Sequence, residues 1–361
     1  MYDIAIIGLG PAGATLARLL GGNRKIIAID SKGSKINKCC GGLLSPDAQK
    51  ILAQFDLCLP KDVLVDPQIF SVKTMDFDNN LERFYQRYYM NMDRARFDNF
   101  LISLIPGEVE ICAGSVCGKI EKENNIYRFM FKTNGTERIE RAKIIIGADG
   151  ANSIVRKTFY RKNKINTYIS IQEWYDDRTN SPFYSCIFDK SITDSYCWTI
   201  SKDNYFIIGG AFPVKDSGAR FEALKEKIRN SGIALKKPVK REGCLVVFNK
   251  NIGSVCTGRA GVYLAGEAAG MISPSSLEGI SYSMDSAKIL AGVLNENHGK
   301  IGRTYFIRTL GIRMKLFLKV LKMPFMYNGF LRKLVMKSGL QAIKKVRSGR
   351  LLPRNAGGFA G

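Results

Sequence analysis

Histidine is almost missing from this chain of 361 residues: His298, in the polar stretch NENHGK, is the only one. Ser–His hydrolase chemistry, multi-histidine metal sites and most histidine acid–base schemes are thereby excluded. His298 itself reads as a solvated turn residue, and the chemistry is expected to belong to a cofactor. Long apolar runs are also missing, since no stretch of about 18 uninterrupted apolar residues exists to span a bilayer. The nine cysteines are too few for a disulfide scaffold, and no signal peptide precedes Tyr2. A reduced, cytoplasmic chain is the expectation. Acidic residues are absent from Ile301 to Gly361, where fourteen lysines and arginines sit, so the formal charge of +23 is concentrated at one end. Such a tail suits nucleic acid, anionic lipid or an acidic partner. Hydrophobic residues make up 45% of the chain, enough for a sizeable core, and the length suits two domains or one with an elaborate insertion.

What is present begins at Tyr2. Residues Tyr2–Ile7 form a mostly apolar run typical of a strand buried on both faces. Gly8-Leu9-Gly10-Pro11-Ala12-Gly13 follows, then a helix from Ala14 to Leu20, then a second strand, Lys25–Ile29, ending in Asp30. This order is the dinucleotide fingerprint. Gly8 permits the tight turn, Gly10 lets backbone approach a pyrophosphate, and Gly13 allows close helix–strand packing. The helix N-terminus offers amides to phosphates, and Asp30 can accept from ribose hydroxyls. The fingerprint alone does not choose between FAD and NAD.

Three later stretches narrow the choice: DRARFDNFL (93–101), IIIGADGANSIVR (144–156), and VYLAGEAAG (262–270) followed by PSSLEGI (274–280). Together with the N-terminus they resemble the FAD-dependent para-hydroxybenzoate-hydroxylase-like superfamily, and within it the geranylgeranyl reductase group. Residues 40–43 (CGGL) look like the Cys-Gly-Gly loop of that group, which passes beside the isoalloxazine ring. The segments IAIIGLGPAG, CCGGLLSPDA, PQIFSVKT and SSLEGISY are similar to CbrA-type flavoproteins. The resemblance implies that Arg94 lies along the ribityl-pyrophosphate region, and that Asp149 and Gly150 belong to a turn contacting FAD. It also implies that Glu267 sits at the ribityl and pyrophosphate end, where relatives usually carry Asp. Backbone amides around Gly279 and Ile280 would face the flavin N1–C2 edge, and the helix dipole there would stabilise reduced flavin.

Cys39 and Cys40 admit three readings. Zinc ligation lacks a second CxxC pair and histidine, so no metal is expected. A vicinal disulfide would need a strained ring in a reducing compartment. The favoured reading is that Gly41 and Gly42 let backbone run close to a flat ring, with Cys40 as a small soft residue beside it. Cys40 is either packing or the proton donor to product.

Residues 68–92 read as an antiparallel hairpin with Asp78-Asn79-Asn80 at its turn. Residues 166–213 and 241–248 give several more strands, with Lys202-Asp203-Asn204 between SYCWTIS and YFIIGGAF, and Phe221–Arg229 reads as a covering helix. Tyr196-Cys197-Trp198 resembles the start of the Tyr-x-Trp-x-Phe-Pro motif of geranylgeranyl reductases, although Ile200-Ser201 replaces its Phe-Pro half. Alternation puts Tyr196 and Trp198 on one sheet face, either lining a substrate pocket or packing a core. In the tail, Thr304–Met323 mixes Phe306, Leu310, Phe317 and Leu321 with Arg308, Arg313, Lys315, Lys319 and Lys322. A basic amphipathic helix of this kind lies in a membrane interface or packs on the cofactor domain. No nucleic-acid motif accompanies the charge.

The expected fold is α/β: a Rossmann-like FAD-binding domain, an inserted β-rich substrate domain and a basic helical C-terminal tail. The boundaries are 1–65, 93–165 and 250–300 for the discontinuous FAD-binding domain, 66–92 and 166–249 for the substrate domain, and 301–361 for the tail. The resemblance implies an FAD-dependent oxidoreductase that reduces C=C bonds of an isoprenoid or related lipid, with hydride from flavin N5. The electron donor is NAD(P)H or a small redox protein, since only one dinucleotide fingerprint occurs. Two alternatives stand beside it: a flavin-dependent monooxygenase, and a flavoprotein that binds a lipid carrier without turnover. An anionic membrane surface is the expected partner of the tail, and the location is cytoplasmic or peripheral on the membrane.

Overall fold

A computed structural model describes residues 1–31, 38–177, 183–296 and 299–343; His298 and the tail beyond residue 343 lie outside the described residues. The chain opens with β1 (Tyr2–Ile7), α1 (Pro11–Leu20) and β2 (Ile26–Ile29). Then come β3 (Leu43–Leu44), α2 (Pro46–Gln54), the hairpin β4 (Ile69–Asp76) and β5 (Leu81–Asn91), and α3 (Arg94–Ser103). A meander follows: β6 (Glu110–Cys112), β7 (Ser115–Glu123), β8 (Ile126–Thr133) and β9 (Thr136–Gly147), leading into α4 (Ile154–Phe159). The next block is β10 (Thr167–Asp176), β11 (Phe183–Phe188), β12 (Cys197–Lys202), β13 (Tyr205–Pro213), α5 (Ser217–Asn230) and β14 (Pro238–Val247). The chain closes with β15 (Gly258–Arg259), β16 (Val262–Leu264), α6 (Ile280–Asn295), α7 (Ile301–Arg308), α8 (Leu310–Tyr327) and α9 (Gly329–Ser338).

Two sheets result. The first runs β15-β16-β9-β1-β2-β6, with β7 and β8 continuing from β9. Its centre is parallel, β1 lying between β2 and β9. Strands buried on both faces need apolar residues without alternation, and YDIAII and IIAI supply them. One face packs Ile4, Ile6 and Ile26 against Leu16 and Leu20 of α1 and Leu290 of α6. The other packs Ala5, Ile7 and Ile145 against Phe129 and Phe131 of β8.

The second sheet runs β14-β10-β13-β12-β11-β4-β5-β3. Its strands alternate, as expected for a sheet with two different coverings. One face meets α5 through Ile208, Phe212, Phe221 and Leu224. The other carries Cys186, Tyr196, Trp198 and Ile200, and packs against Leu43, Leu277 and Tyr327. The mixed α/β architecture with C-terminal helices agrees with the sequence expectation.

The tail departs from the expected single helix over Thr304–Met323. It breaks at Thr309 and instead runs on through Pro324 to Tyr327. The cause is the Phe306 carbonyl, which accepts from the Thr309 hydroxyl (2.9 Å) and the Arg313 guanidinium (2.7 Å), displacing the regular helical bond. No helix among the described residues is long and apolar enough to cross a membrane.

Candidate functional site

The glycine turn between β1 and α1 is built by close approach. A Cβ on Gly13 would sit 1.8 Å from the Gly8 carbonyl oxygen, and one on Gly8 2.6 Å from the Ala148 oxygen. Gly10 is the opposite case: a Cβ there meets nothing within 4 Å, so the turn faces open space at the start of α1. No side chain caps that helix, and Pro11 occupies its first turn. Its amides are therefore left for an anion. The Asp30 carboxylate closes the turn by accepting from the Leu9 amide at 2.6 Å.

At the end of β9, next to this turn, Asp149 accepts from the amides of Ile154 (2.6 Å) and Val155 (3.5 Å) through Oδ2. Its second oxygen is buried with no protein partner. Burial pushes the carboxyl up to about 6, although the amides that it accepts from pull the other way. A buried carboxylate oxygen with no donor, beside an uncapped helix and the clear space at Gly10, is a cradle that suits a polyhydroxylated, phosphorylated ligand. Gly150, Arg94 and Glu267 extend it. The Glu267 carboxylate lies 3.6 Å from where a Gly150 Cβ would be. Both its oxygens are engaged: Oε1 accepts from the Val247 amide (2.9 Å) and Oε2 from Lys38 (2.5 Å). Burial works against the Lys38 ammonium, but Glu267 holds its pKa above the ordinary value. The extra methylene of Glu thus lets this position tie the Cys-Gly-Gly segment to β14.

The two adjacent cysteines diverge. Cys39 is buried against Ser170 Oγ (3.4 Å) and the Glu242 carbonyl (3.8 Å), and its contact with the Cys244 thiol, aided by burial, raises its pKa. The Cys40 sulfur accepts from the Gly42 amide at 3.4 Å and faces the Arg94 guanidinium. Arg94 donates to Asp98 at 2.8 Å, one helical turn on; burial opposes its charge, while Asp98 and Cys40 hold its pKa above the ordinary value. Gly42 adopts φ +61°, and a Cβ there would press to 2.5 Å from the Met92 carbonyl oxygen. Only glycine fits that passage.

Lys202 was not singled out in the sequence. It is buried and donates to Gly42 O (3.0 Å), Met92 O (2.7 Å) and Asn91 Oδ1 (2.6 Å), locking the loop to the end of β5. Burial lowers its pKa to about 7. The available signal was alternation: 196, 198, 200 and 202 share one sheet face, but KDN read as a turn.

Tyr196 and Trp198 do share a face, their rings 5.7 Å apart. They belong to a chain of rings running from Tyr89 and Tyr184 through Tyr196 and Phe188 to Tyr327 at the end of α8. Gly209 makes room for the Trp198 indole, whose Nε1 is buried without a partner. The Tyr196 hydroxyl donates to Ser276 O (2.6 Å) and that of Tyr327 to Ser275 O (3.0 Å), so the 275–280 loop forms the rim. Leu277 in that loop takes φ +52°. Gly279 then starts α6, Ile280 packs with Leu44 and Met92 beside the Cys-Gly-Gly loop, and Glu278 accepts from the Ser281 amide and hydroxyl, both at 2.8 Å. Burial raises the Glu278 pKa. Glu278, Lys38 and Asn91 join Lys202 as site residues that sequence reasoning missed.

No protein-family model matches the chain. It is similar over 92% of its length to a geranylgeranyl bacteriochlorophyll reductase-like protein from Thermoplasma acidophilum, with a TM-score of 0.78, 19% identity and 90% of that chain covered. It is also similar to PqsL of Pseudomonas aeruginosa, described as a probable FAD-dependent monooxygenase, with a TM-score of 0.68, 14% identity, and 94% and 99% of the two chains covered. These likenesses show that the chain shares their fold. In sequence, the chain is 47% identical to protein CbrA of Escherichia coli O157:H7 over 350 residues, covering 96% of this chain and 99% of the relative. Protein CbrA of Shigella dysenteriae serotype 1 matches to the same extent. On that identity across nearly the whole length of both proteins, the chain belongs to the CbrA family.

Proposed function

We propose that this chain is an FAD-dependent oxidoreductase that reduces a C=C bond of an isoprenoid or related lipid. The observation that carries this reading is the aromatic face of the second sheet, Tyr184, Tyr196 and Trp198, with Tyr327 of α8 packed on it, gathered at the Cys-Gly-Gly loop and the 275–280 loop. The Tyr196 and Tyr327 hydroxyls are already bonded to loop carbonyls, so those two side chains offer carbon surfaces to a substrate.

Gly8, Gly10, Gly13 and Asp30 would hold the dinucleotide, with Arg94, Asp149, Gly150 and Glu267 at its middle and Gly279 and Ile280 at the ring end. When bound and reduced, FAD supplies hydride. The protein's own part is orientation and proton supply. Lys202 fixes the loop backbone, Arg94 places positive charge beside Cys40, and the Cys40 thiol is the group nearest to hand for protonating the second alkene carbon. The electron donor on this reading is NAD(P)H or a small redox protein.

The test is anaerobic. Flavin reduced with dithionite should be reoxidised on adding polyprenyl lipid without oxygen, giving a product heavier by two hydrogens. Reoxidation seen only with oxygen, with oxygen gained by the substrate, would instead make it a monooxygenase. Cys40→Ala should slow the single-turnover step; an unchanged rate would remove Cys40 from proton transfer.

A further inference from the structure

The C-terminal helices present apolar side chains to solvent in an ordered way. On α8, Leu310, Met314, Phe317, Leu318, Leu321 and Phe325 recur at helical spacing and are 39–58% exposed. The stripe opposite, Ile312, Leu316 and Met323, is buried against the body of the protein. A helix packed on its own core needs only one apolar stripe; α8 has two, about half a turn apart. The pattern repeats on α9, where Phe330 and Leu334 are exposed and Arg332 and Met336 are buried. Contiguous apolar surface of this kind marks an interface.

The charges around it have one sign. Between residues 301 and 343 there are nine lysines and arginines and no acidic residue. Arg308 is neutralised by Glu296, and Arg332 by Asp76 and Asp78. Among the described residues the others form no ion pair. Lys319 and Lys322 of α8 lie near Arg87 of β5; among the described residues no carboxylate comes within ion-pair distance of the three, and Lys319 acts only at longer range on the buried Glu278. Burial and these two neighbours lower the Lys322 pKa. Beside Arg87, Tyr88 is 54% exposed and packs edge-on to the exposed Phe70.

We infer that the exposed face of α8 and α9, with Arg87, Lys319 and Lys322, docks on the surface of an anionic lipid bilayer. Cations without an ion pair need an anionic partner, and the apolar stripe beside them needs an acyl boundary; phospholipid supplies both in one surface. A second copy of this chain supplies the apolar area but only more cations, so the face repels itself. Nucleic acid supplies phosphates but nothing for Phe317 and Leu321 to enter.

Docking has a consequence for the aromatic cluster, and this part rests on the function proposed above. Phe325 points to solvent, while the next two residues, Met326 and Tyr327, pack against the cluster containing Tyr196 and Trp198. The same end of α8 therefore packs on the aromatic cluster and forms part of the docking face. A lipid substrate drawn from the bilayer would meet the aromatic cluster at this end of α8.

Sedimentation of the full-length, flavin-loaded protein with phosphatidylcholine vesicles, with and without phosphatidylglycerol, tests the docking. Binding is expected only with phosphatidylglycerol. The triple variant Arg87→Gln, Lys319→Gln, Lys322→Gln should lose on the order of a hundredfold in partitioning. Phe317→Ser with Leu321→Ser should lose about tenfold or more. Arg87, Lys322, Phe317 and Leu321 are exposed and Lys319 is half-buried on the flank of α8, so flavin content and far-UV circular dichroism should match wild type. Absence of binding, or binding indifferent to both variants, overturns the inference. So does a wild-type dimer, seen by sedimentation velocity without lipid, that Phe317→Ser with Leu321→Ser converts to monomer. Because binding is read without turnover, vesicle binding with no lipid reduction would refute the proposed activity and leave the docking surface standing.

Discussion

Asp149 shows how one side chain can serve the turn and still have capacity for a ligand. Its Oδ2 caps α4 through the Ile154 amide, while Oδ1 is buried with no donor. A carboxyl in this position resists ionisation, and its pKa rises from 3.8 to about 6. The folded state therefore binds the proton more tightly than the unfolded chain does. The resulting stabilisation is fully present below pH 3.8 and is lost as pH rises through about 6. Asp149→Asn keeps the cap and removes the titration. In urea melts of flavin-free protein, the stability of wild type relative to this variant should fall by about 3 kcal/mol across that window. A difference that stays flat would mean that the carboxyl titrates alike in the folded and unfolded chains.

At the scale of elements, the β1–α1 turn contains glycines of two kinds. Gly13 is required by the fold, because a Cβ would collide with the Gly8 carbonyl oxygen; Gly10 is not, because nothing lies near it. Gly13→Ala should thus destabilise the flavin-free protein by several kcal/mol, of order 3 or more. Gly10→Ala should leave thermal unfolding of the flavin-free protein within about 1 kcal/mol of wild type yet weaken FAD binding, read by flavin fluorescence. Equal effects of the two on stability would contradict the open cradle. The tail helices teach a different lesson about elements. Pro324 reads as the end of a helix, but α8 passes through it, and the break falls at Thr309, where side chains of Thr309 and Arg313 take the Phe306 carbonyl.

At the scale of the molecule, Arg332 holds the tail to the second sheet. It is buried, donates to Asp76 (2.7 Å), Asp78 (2.7 Å) and the Met326 carbonyl (2.8 Å), and lies over the Phe188 ring at 4.9 Å. Burial opposes its charge, and the two aspartates restore it. Arg332→Met should cost about 3–5 kcal/mol, because it leaves Asp76 buried and unpaired. Adding Asp76→Asn should return part of that loss, and strict additivity in the double-mutant cycle would show that the pair is not coupled. The same contact orients α8 and α9, so this interior ion pair is what presents their apolar stripes outward.

Much of the β1–α1 turn and its proposed cradle was legible along the chain because its parts are local. The glycine turn, the strand before it and Asp30 fall within thirty residues, and their spacing follows from backbone geometry. The α/β class, the β4–β5 hairpin and the shared face of Tyr196 and Trp198 follow from period and turn residues in the same way. The sequence also determined the basic, acid-free tail and the want of histidine. Tertiary structure decided what depends on distant partners. Lys202 meets Gly42 from 160 residues away, and Lys38 meets Glu267 from 229. Cys39 and Cys40, neighbours in the chain, face different elements, Cys39 toward Ser170 and Cys244 and Cys40 toward Arg94. Which stripe of α8 is core and which is surface was undecided in the sequence, since both are apolar. Packing of Ile312, Leu316 and Met323 against the body resolved it, leaving Phe317 and Leu321 outside.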